Sequence, residues 1–125
     1  MGERRLERVG QLVQAELARL LQRAVRDPRL QAVTVTGVRM TADLRHARVF
    51  FRTLEAVEEH AATLRSLERA APFLRGEIGR ALGMRTVPDL RFEYDDTLDT
   101  VRHLDDLFRG LPAGPPADGT DEEGE

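Results

Sequence analysis

The chain has no cysteine, no tryptophan and no lysine among its 125 residues, and its one serine is Ser66. Without cysteine there is no disulfide framework, thiolate nucleophile or cysteine zinc site. The fold must therefore rest on its hydrophobic core, as is usual in a reducing compartment, and a cytoplasmic location is expected. With Ser66 inside a helical pattern, a Ser-His-Asp arrangement has poor raw material. His46, His60 and His103 are scattered, without HxxxH or HExxH spacing, so no metal and no cofactor is expected. No apolar run approaches the roughly 20 residues of a membrane helix, and Met1-Gly2-Glu3-Arg4-Arg5 lacks the apolar stretch of a secretion signal. We read the missing lysines as codon composition, since arginine codons are richer in G and C. Arginine nonetheless offers a planar fork suited to phosphate.

The formal net charge of −3 hides a partition. Residues 1–52 carry eleven arginines against five acids, giving +6, and residues 53–92 balance six against six. Residues 93–110 carry two against six, giving −4, and residues 111–125 add five acids and no base. One end suits an anionic partner and the other does not. At 14.1 kDa the chain fits one small domain with an appendage.

Apolar positions Leu6, Val9, Val13, Leu17, Leu20 and Ala24 recur at spacings of three and four, which predicts a first helix over Arg5 to Val25. Arg5, Arg8, Arg19, Arg23 and Arg26 fall opposite that stripe, and Asp27-Pro28 is expected to stop the helix. Val33-Thr34-Val35-Thr36 alternates as a half-buried strand, but beyond Gly37 the phase slips to Val38 and Met40, which suggests a bulge. The turn 41–45 leads to a second run with Ala47, Val49 and Phe51 on one face and Arg48, Phe50 and Arg52 on the other. The two runs read as an antiparallel hairpin.

From Val57 to Leu82 an apolar stripe keeps helical spacing across Pro72. A proline in a helix interior costs about 3 kcal/mol or more, so two helices meeting at a kink are expected, with Gly83 ending the second. Leu90, Phe92 and Tyr94 predict a third strand. Asp95-Asp96-Thr97 can cap a last helix carrying Leu98, Val101, Leu104 and Phe108. Capping also accounts for the carboxylates there without a metal ion. Beyond Gly110 the composition falls to Pro, Gly, Ala and acids, which predicts a disordered acidic tail over 111–125 after a folded domain over 1–110.

Helix, strand, strand, helix, kink, helix, strand is an α+β order, three strands with helices on one face, and it is that of a type II KH domain with an extra C-terminal helix. Asp27-Pro28-Arg29-Leu30, Val33-Thr34-Val35-Thr36, Asp43-Leu44, Ala47, Val49-Phe50-Phe51, Phe73-Leu74-Arg75, Leu82, Arg85 and Pro88-Asp89-Leu90-Arg91-Phe92 follow in series. In that order they resemble the bacterial ribosome-binding factor A family, from about Arg4 to Phe108. The resemblance implies a KH-like, RNA-binding, non-enzymatic and monomeric factor. It would bind 16S rRNA of the immature small (30S) ribosomal subunit and assist its late maturation and rRNA processing, with no membrane or small-molecule substrate. An Ala-x-Gly kink replaces the KH loop in that family. The triplet aligned here is Ala70-Ala71-Pro72, which keeps a bend but removes a backbone N–H that could face a phosphate.

Gly76-Glu77-Ile78-Gly79 spells the KH signature, yet Ile78 lies on the core stripe and Glu77 would repel phosphate. We read two helical glycines that allow close packing. With Leu74 at zero, Leu67, Ala71, Ile78 and Leu82 lie between about 20° and 80°, and Arg65, Arg69 and Arg80 between about 180° and 240°. Phe73 projects near 260°, but a kink that resets the phase assigns it to the core. The RNA-contacting set expected is Arg5, Arg8, Arg45, Arg48, Arg65, Arg69, Arg75, Arg80 and Arg85. The alternative is a protein-interaction module whose first helix docks a partner, with incidental RNA binding.

Overall fold

In the computed structural model the described residues are 2–97, and their compact unit ends at Tyr94. The predicted last helix beyond Thr97, and the tail over 111–125, lie outside the described residues.

The first helix, α1, runs Gly2–Arg23, and its stripe buries Val13, Leu17, Leu20 and Leu21. Glu3 in its first turn and Arg23 in its last complement the helix dipole. The Asp27-Pro28 stop is also a start. Asp27 is extended and its carboxylate accepts a hydrogen bond from the Arg29 N–H at 2.9 Å, which opens a one-turn helix, α2, over Pro28–Gln31. That turn places Leu30 in the core.

Strands β1 (Val33–Met40) and β2 (His46–Thr53) form the expected antiparallel hairpin. Its register slips between Val35 and Gly37, the bulge that the phase change predicted. The third strand, β3 (Asp89–Tyr94), lies parallel to β2, in the order β1-β2-β3. A parallel pair needs a long crossover, which the intervening helix supplies. Ala47, Val49, Phe51 and Phe92 point to one face with Val33 and Val35, where α1 packs on β1 and the crossover helix on β3. Gly10 permits that approach, since a Cβ there would lie 2.8 Å from the Val38 carbonyl oxygen.

The crossover enters through a 3₁₀ turn, Val57–Glu59, and continues as one helix, α3, over His60–Leu82. The expected pair of helices at Ala70-Ala71-Pro72 is therefore corrected: Pro72 sits inside a single helix. The missing N–H would have bonded the Glu68 carbonyl, and Glu68 and Pro72 are both exposed, so water can take its place. The apolar stripe also stays in phase on both sides, with Leu67, Leu74 and Ile78 fully buried. Burial of three large side chains, about 1.5–3 kcal/mol each, outweighs one proline penalty. Because the phase does not reset, Phe73 is not a core residue either: it is 45% exposed. The Gly76–Gly79 stretch is helical as expected, and a Cβ on Gly79 would meet Val87 Cγ2 at 2.7 Å. Gly83, at φ 64°, ends the helix in the left-handed conformation. The α+β, KH-like arrangement with both long helices on one sheet face is thus present, with its helix pair fused into one.

Candidate nucleic-acid interface

The open groove nearest the triplet Ala70-Ala71-Pro72 lies between α3 and β3. Ala71, Pro72 and Leu90 line it with Glu68, Asp89 and Glu93, against Arg75 and Arg91. Three carboxylates facing two guanidiniums make a poor seat for phosphate. Arg75, moreover, is engaged by the fold: Nε donates to the Pro88 carbonyl and Nη2 to the Val87 carbonyl, both at 3.0 Å. It fastens the entry of β3 to α3. The proline's missing N–H and the acidic lining point the same way, so RNA contact is to be sought elsewhere on the helical layer.

A second cleft, of about 340 Å³, lies where the end of α1 meets the first half of α3. Val25, Leu30 and Ala70 form its apolar floor, Arg26, Arg69 and Phe73 stand around it, and its one carboxylate, Asp27, is engaged by the Arg29 N–H. Arg69 Nη2 donates to Ser66 Oγ at 3.2 Å, which holds the guanidinium along the helix without neutralising it. Arg65 lies one turn earlier, exposed, and neither it nor Arg26 makes an ion pair with a described residue. A half-exposed phenylalanine among guanidiniums over an apolar floor can hold an unstacked base while arginines hold its phosphates. Arg26 is missing from the expected set. Its place opposite the α1 stripe was the available signal, but the cleft depends on the chain turning at Asp27.

A third region lies at the other end of α1, which is about 33 Å long at 1.5 Å per residue. Arg5 and Arg85 flank a groove lined by Val9, Leu12, Leu44, Leu82 and Met84. The hairpin turn closes it. Asp43 accepts from the Thr41 hydroxyl at 2.7 Å and the Arg45 N–H at 3.0 Å, and these bonds hold its carboxyl below the usual value. Leu44 there is the one non-glycine residue with positive φ, 62°, among the described residues, and its half-buried side chain joins the groove lining. Arg8 and Arg45 are exposed, and like Arg5 and Arg85 they form no ion pair with described residues.

Three expected residues carry carboxylate partners, of which Arg75 has Asp89 at 3.7 Å beside its carbonyl bonds. Arg80 pairs with Glu77 one turn before it. Arg48, on the sheet, is held by Glu93 through Nε and Nη2, each at 2.8 Å. The expected set is therefore divided: Arg65 and Arg69 border the cleft, Arg5, Arg8, Arg45 and Arg85 gather at the far end, Arg48 and Arg80 are paired, and Arg75 is structural. Among the described residues no cluster of His, Asp and Glu could hold a metal ion, and no helix is long and apolar enough to cross a membrane.

Comparison with known proteins gives one answer. The family model for ribosome-binding factor A matches residues 5–108. Ribosome-binding factor A of Thioalkalivibrio sulfidiphilus is 46% identical over 104 residues, 83% of this chain and 81% of that protein. That of Syntrophus aciditrophicus is 40% identical over 118 residues, covering 94% and 96% of the two chains. The crystal structure of ribosome-binding factor A from Thermus thermophilus superposes with a TM-score of 0.64 at 30% identity, over 71% of this chain and 94% of that one. A homology model of the Thermus thermophilus factor, fitted into a cryo-EM map of its complex with the 30S subunit, has a TM-score of 0.61 at 30% identity. It covers 72% of this chain and 94% of that model.

Proposed function

Since the chain belongs to the ribosome-binding factor A family, we propose that it binds 16S rRNA of the immature small ribosomal subunit and assists late maturation and rRNA processing without catalysis of its own. The observation that carries this reading is the cleft in which Arg26, Arg69 and the exposed Phe73 stand over an apolar floor, with Arg65 one turn away. Guanidinium groups there supply the salt-sensitive, sequence-independent part of the affinity, and Phe73 supplies stacking. The arginines around Arg5 and Arg85 extend the contact to the other end of the helical layer. The 30S complex of the Thermus thermophilus factor supports the small subunit as the partner. We place the protein in the cytoplasm, acting as a monomer.

The test is co-sedimentation with immature and mature small subunits at low and high salt. Preference for the immature particle, and loss of binding as salt rises, are expected. The variant to use is R65E/R69E, not one that reverses Arg75, whose carbonyl bonds hold β3 in place. Retained binding by R65E/R69E counts against the cleft. A protein-interaction reading has one observation in its favour, the apolar groove beside Leu12, which is 48% exposed. It predicts loss of subunit binding by Leu12→Asp with unchanged affinity for protein-free 16S rRNA.

A further inference from the structure

The face of the sheet turned away from the helices carries an unusual row. Arg39 of β1 pairs in register with Arg48 of β2, and Arg48 pairs in turn with Arg91 of β3. All three are exposed, and strand spacing sets them within about 10 Å of one another. Like charges directly opposite one another destabilise a sheet, so folding alone gives no reason for this row. Two carboxylates of β3 lie on this face: Glu93 is engaged by Arg48 and Asp89 lies against His46 and Arg75, while Arg39 and Arg91 form no ion pair with described residues, although Arg91 also borders the acidic groove beside Pro72.

The next row has an aromatic platform. Phe50 is half-buried, its ring 5.1 Å from the Arg48 guanidinium carbon, and its neighbour in register on β1 is Gly37. A Cβ built on Gly37 would meet nothing within 4 Å, so the space beside the Phe50 ring is open. A planar group can enter there. Guanidinium groups at strand spacing next to an accessible ring fit the alternation of phosphate and base in an unpaired strand. A protein carboxylate patch would use the charges but leave the ring and its open flank without a role.

We infer that this open sheet face, through Arg39, Arg48, Arg91 and Phe50, is a second RNA-binding surface that takes a single-stranded segment. It is separate from the contacts on the helical layer, and it rests on the reading of the protein as an rRNA binder. The two surfaces let one small domain hold an unpaired strand on one side and folded RNA on the other.

The test is fluorescence anisotropy of a labelled single-stranded oligoribonucleotide with the full chain, at roughly 50 and 200 mM salt. R39E/R91E should weaken binding roughly tenfold at the lower salt, and should reduce the slope of log affinity against log salt by about 0.7 for each phosphate that is no longer neutralised. Both positions are exposed, and circular dichroism should report an unchanged fold. Phe50→Leu, which keeps bulk and removes the ring, should weaken binding with no change in that slope. Glu93→Gln, which removes the one carboxylate engaging the row, should tighten it severalfold. An R39E/R91E affinity within twofold of wild type overturns the inference, whether or not R65E/R69E weakens binding. If R39E/R91E loses the small subunit while its RNA affinity is unchanged, the face belongs to a protein partner and the inference also falls. Failure of the wild-type chain to bind RNA at all would remove this surface together with the proposed function.

Discussion

Replacing Pro72 by alanine should stabilise the domain. In the interior of α3 the proline leaves the Glu68 carbonyl without its helical donor, and its ring crowds that carbonyl. Alanine is about 3 kcal/mol more favourable than proline at an interior helix position. Against this, the ring restricts the unfolded chain, an effect of about 0.4–1 kcal/mol that alanine forfeits. The net gain is about 2 kcal/mol. For a unit ending near Tyr94, that raises Tm by roughly 8–16 °C. Urea unfolding followed by helical circular dichroism measures it directly: the midpoint should rise with the slope unchanged. RNA affinity should not change, because the groove beside Pro72 is lined by Glu68, Asp89 and Glu93. A midpoint that stays or falls would refute the reasoning, since it would mean that the proline sets a helix direction on which burial of Leu67 and Leu74 depends. Weakened RNA binding would refute the electrostatic argument independently.

Three further perturbations follow from the same structure. Arg75→Met removes two charge-assisted bonds to the Val87 and Pro88 carbonyls and should cost about 2 kcal/mol by the same unfolding assay, with faster hydrogen exchange in β3. Thr63 is fully buried and its hydroxyl oxygen has no partner among the described residues, so Thr63→Val should gain about 1 kcal/mol. Glu93 has its carboxyl lowered from the ordinary 4.5 first by the hydrogen bond from Arg48, so it binds its proton less readily folded than unfolded. Its contribution is therefore full above pH 4.5 and is lost as pH falls through the lower folded value. The stability difference between wild type and Glu93→Gln should accordingly be present at neutral pH and vanish in acid. A difference that persists below the folded value would mean that the effect is packing and not charge.

What could be read from the sequence is what is settled locally. The three- and four-residue spacing of Val9, Val13, Leu17 and Leu20, the slip at Gly37 and the alternation of Leu90, Phe92 and Tyr94 each reflect a face turned toward the core, and those elements stand where the pattern puts them. Pro72 misled because a local penalty is a fixed cost, whereas the burial on either side of it sums over the whole of α3. Phe73 was misplaced as a consequence, since its position depended on a phase reset that did not occur. Pro28 misled in the opposite sense: the residue that ends one helix also suits the first turn of the next once Asp27 caps it. The charge pairings were out of reach for a different reason. Arg48 and Glu93 are 45 residues apart, and Arg29 reaches Glu55 and Glu59 at 26 and 30 residues, so these contacts exist only after strand order and crossover are settled.

The partition of arginines into structural and available sets turns on what each would give up on meeting a phosphate. The Arg80 pair with Glu77 is exposed, and such pairs contribute about 0–1 kcal/mol, so a phosphate can displace the carboxylate at little cost. Arg48 and Glu93 hold each other through two bonds, but on an open face, and the same exchange is open to them. Arg75 differs in kind. Its hydrogen-bond partners are backbone carbonyls beside the fully buried Pro88, with Asp89 farther off at 3.7 Å, and withdrawing the guanidinium would leave those carbonyls to find water at a crowded strand entry. A surface charge map counts these arginines alike, whereas their partners separate them. Under the proposed function, Arg80 and Arg48 therefore stay available to RNA despite their ion pairs, whereas Arg75 does not, although it shares α3 with Arg65, Arg69 and Arg80.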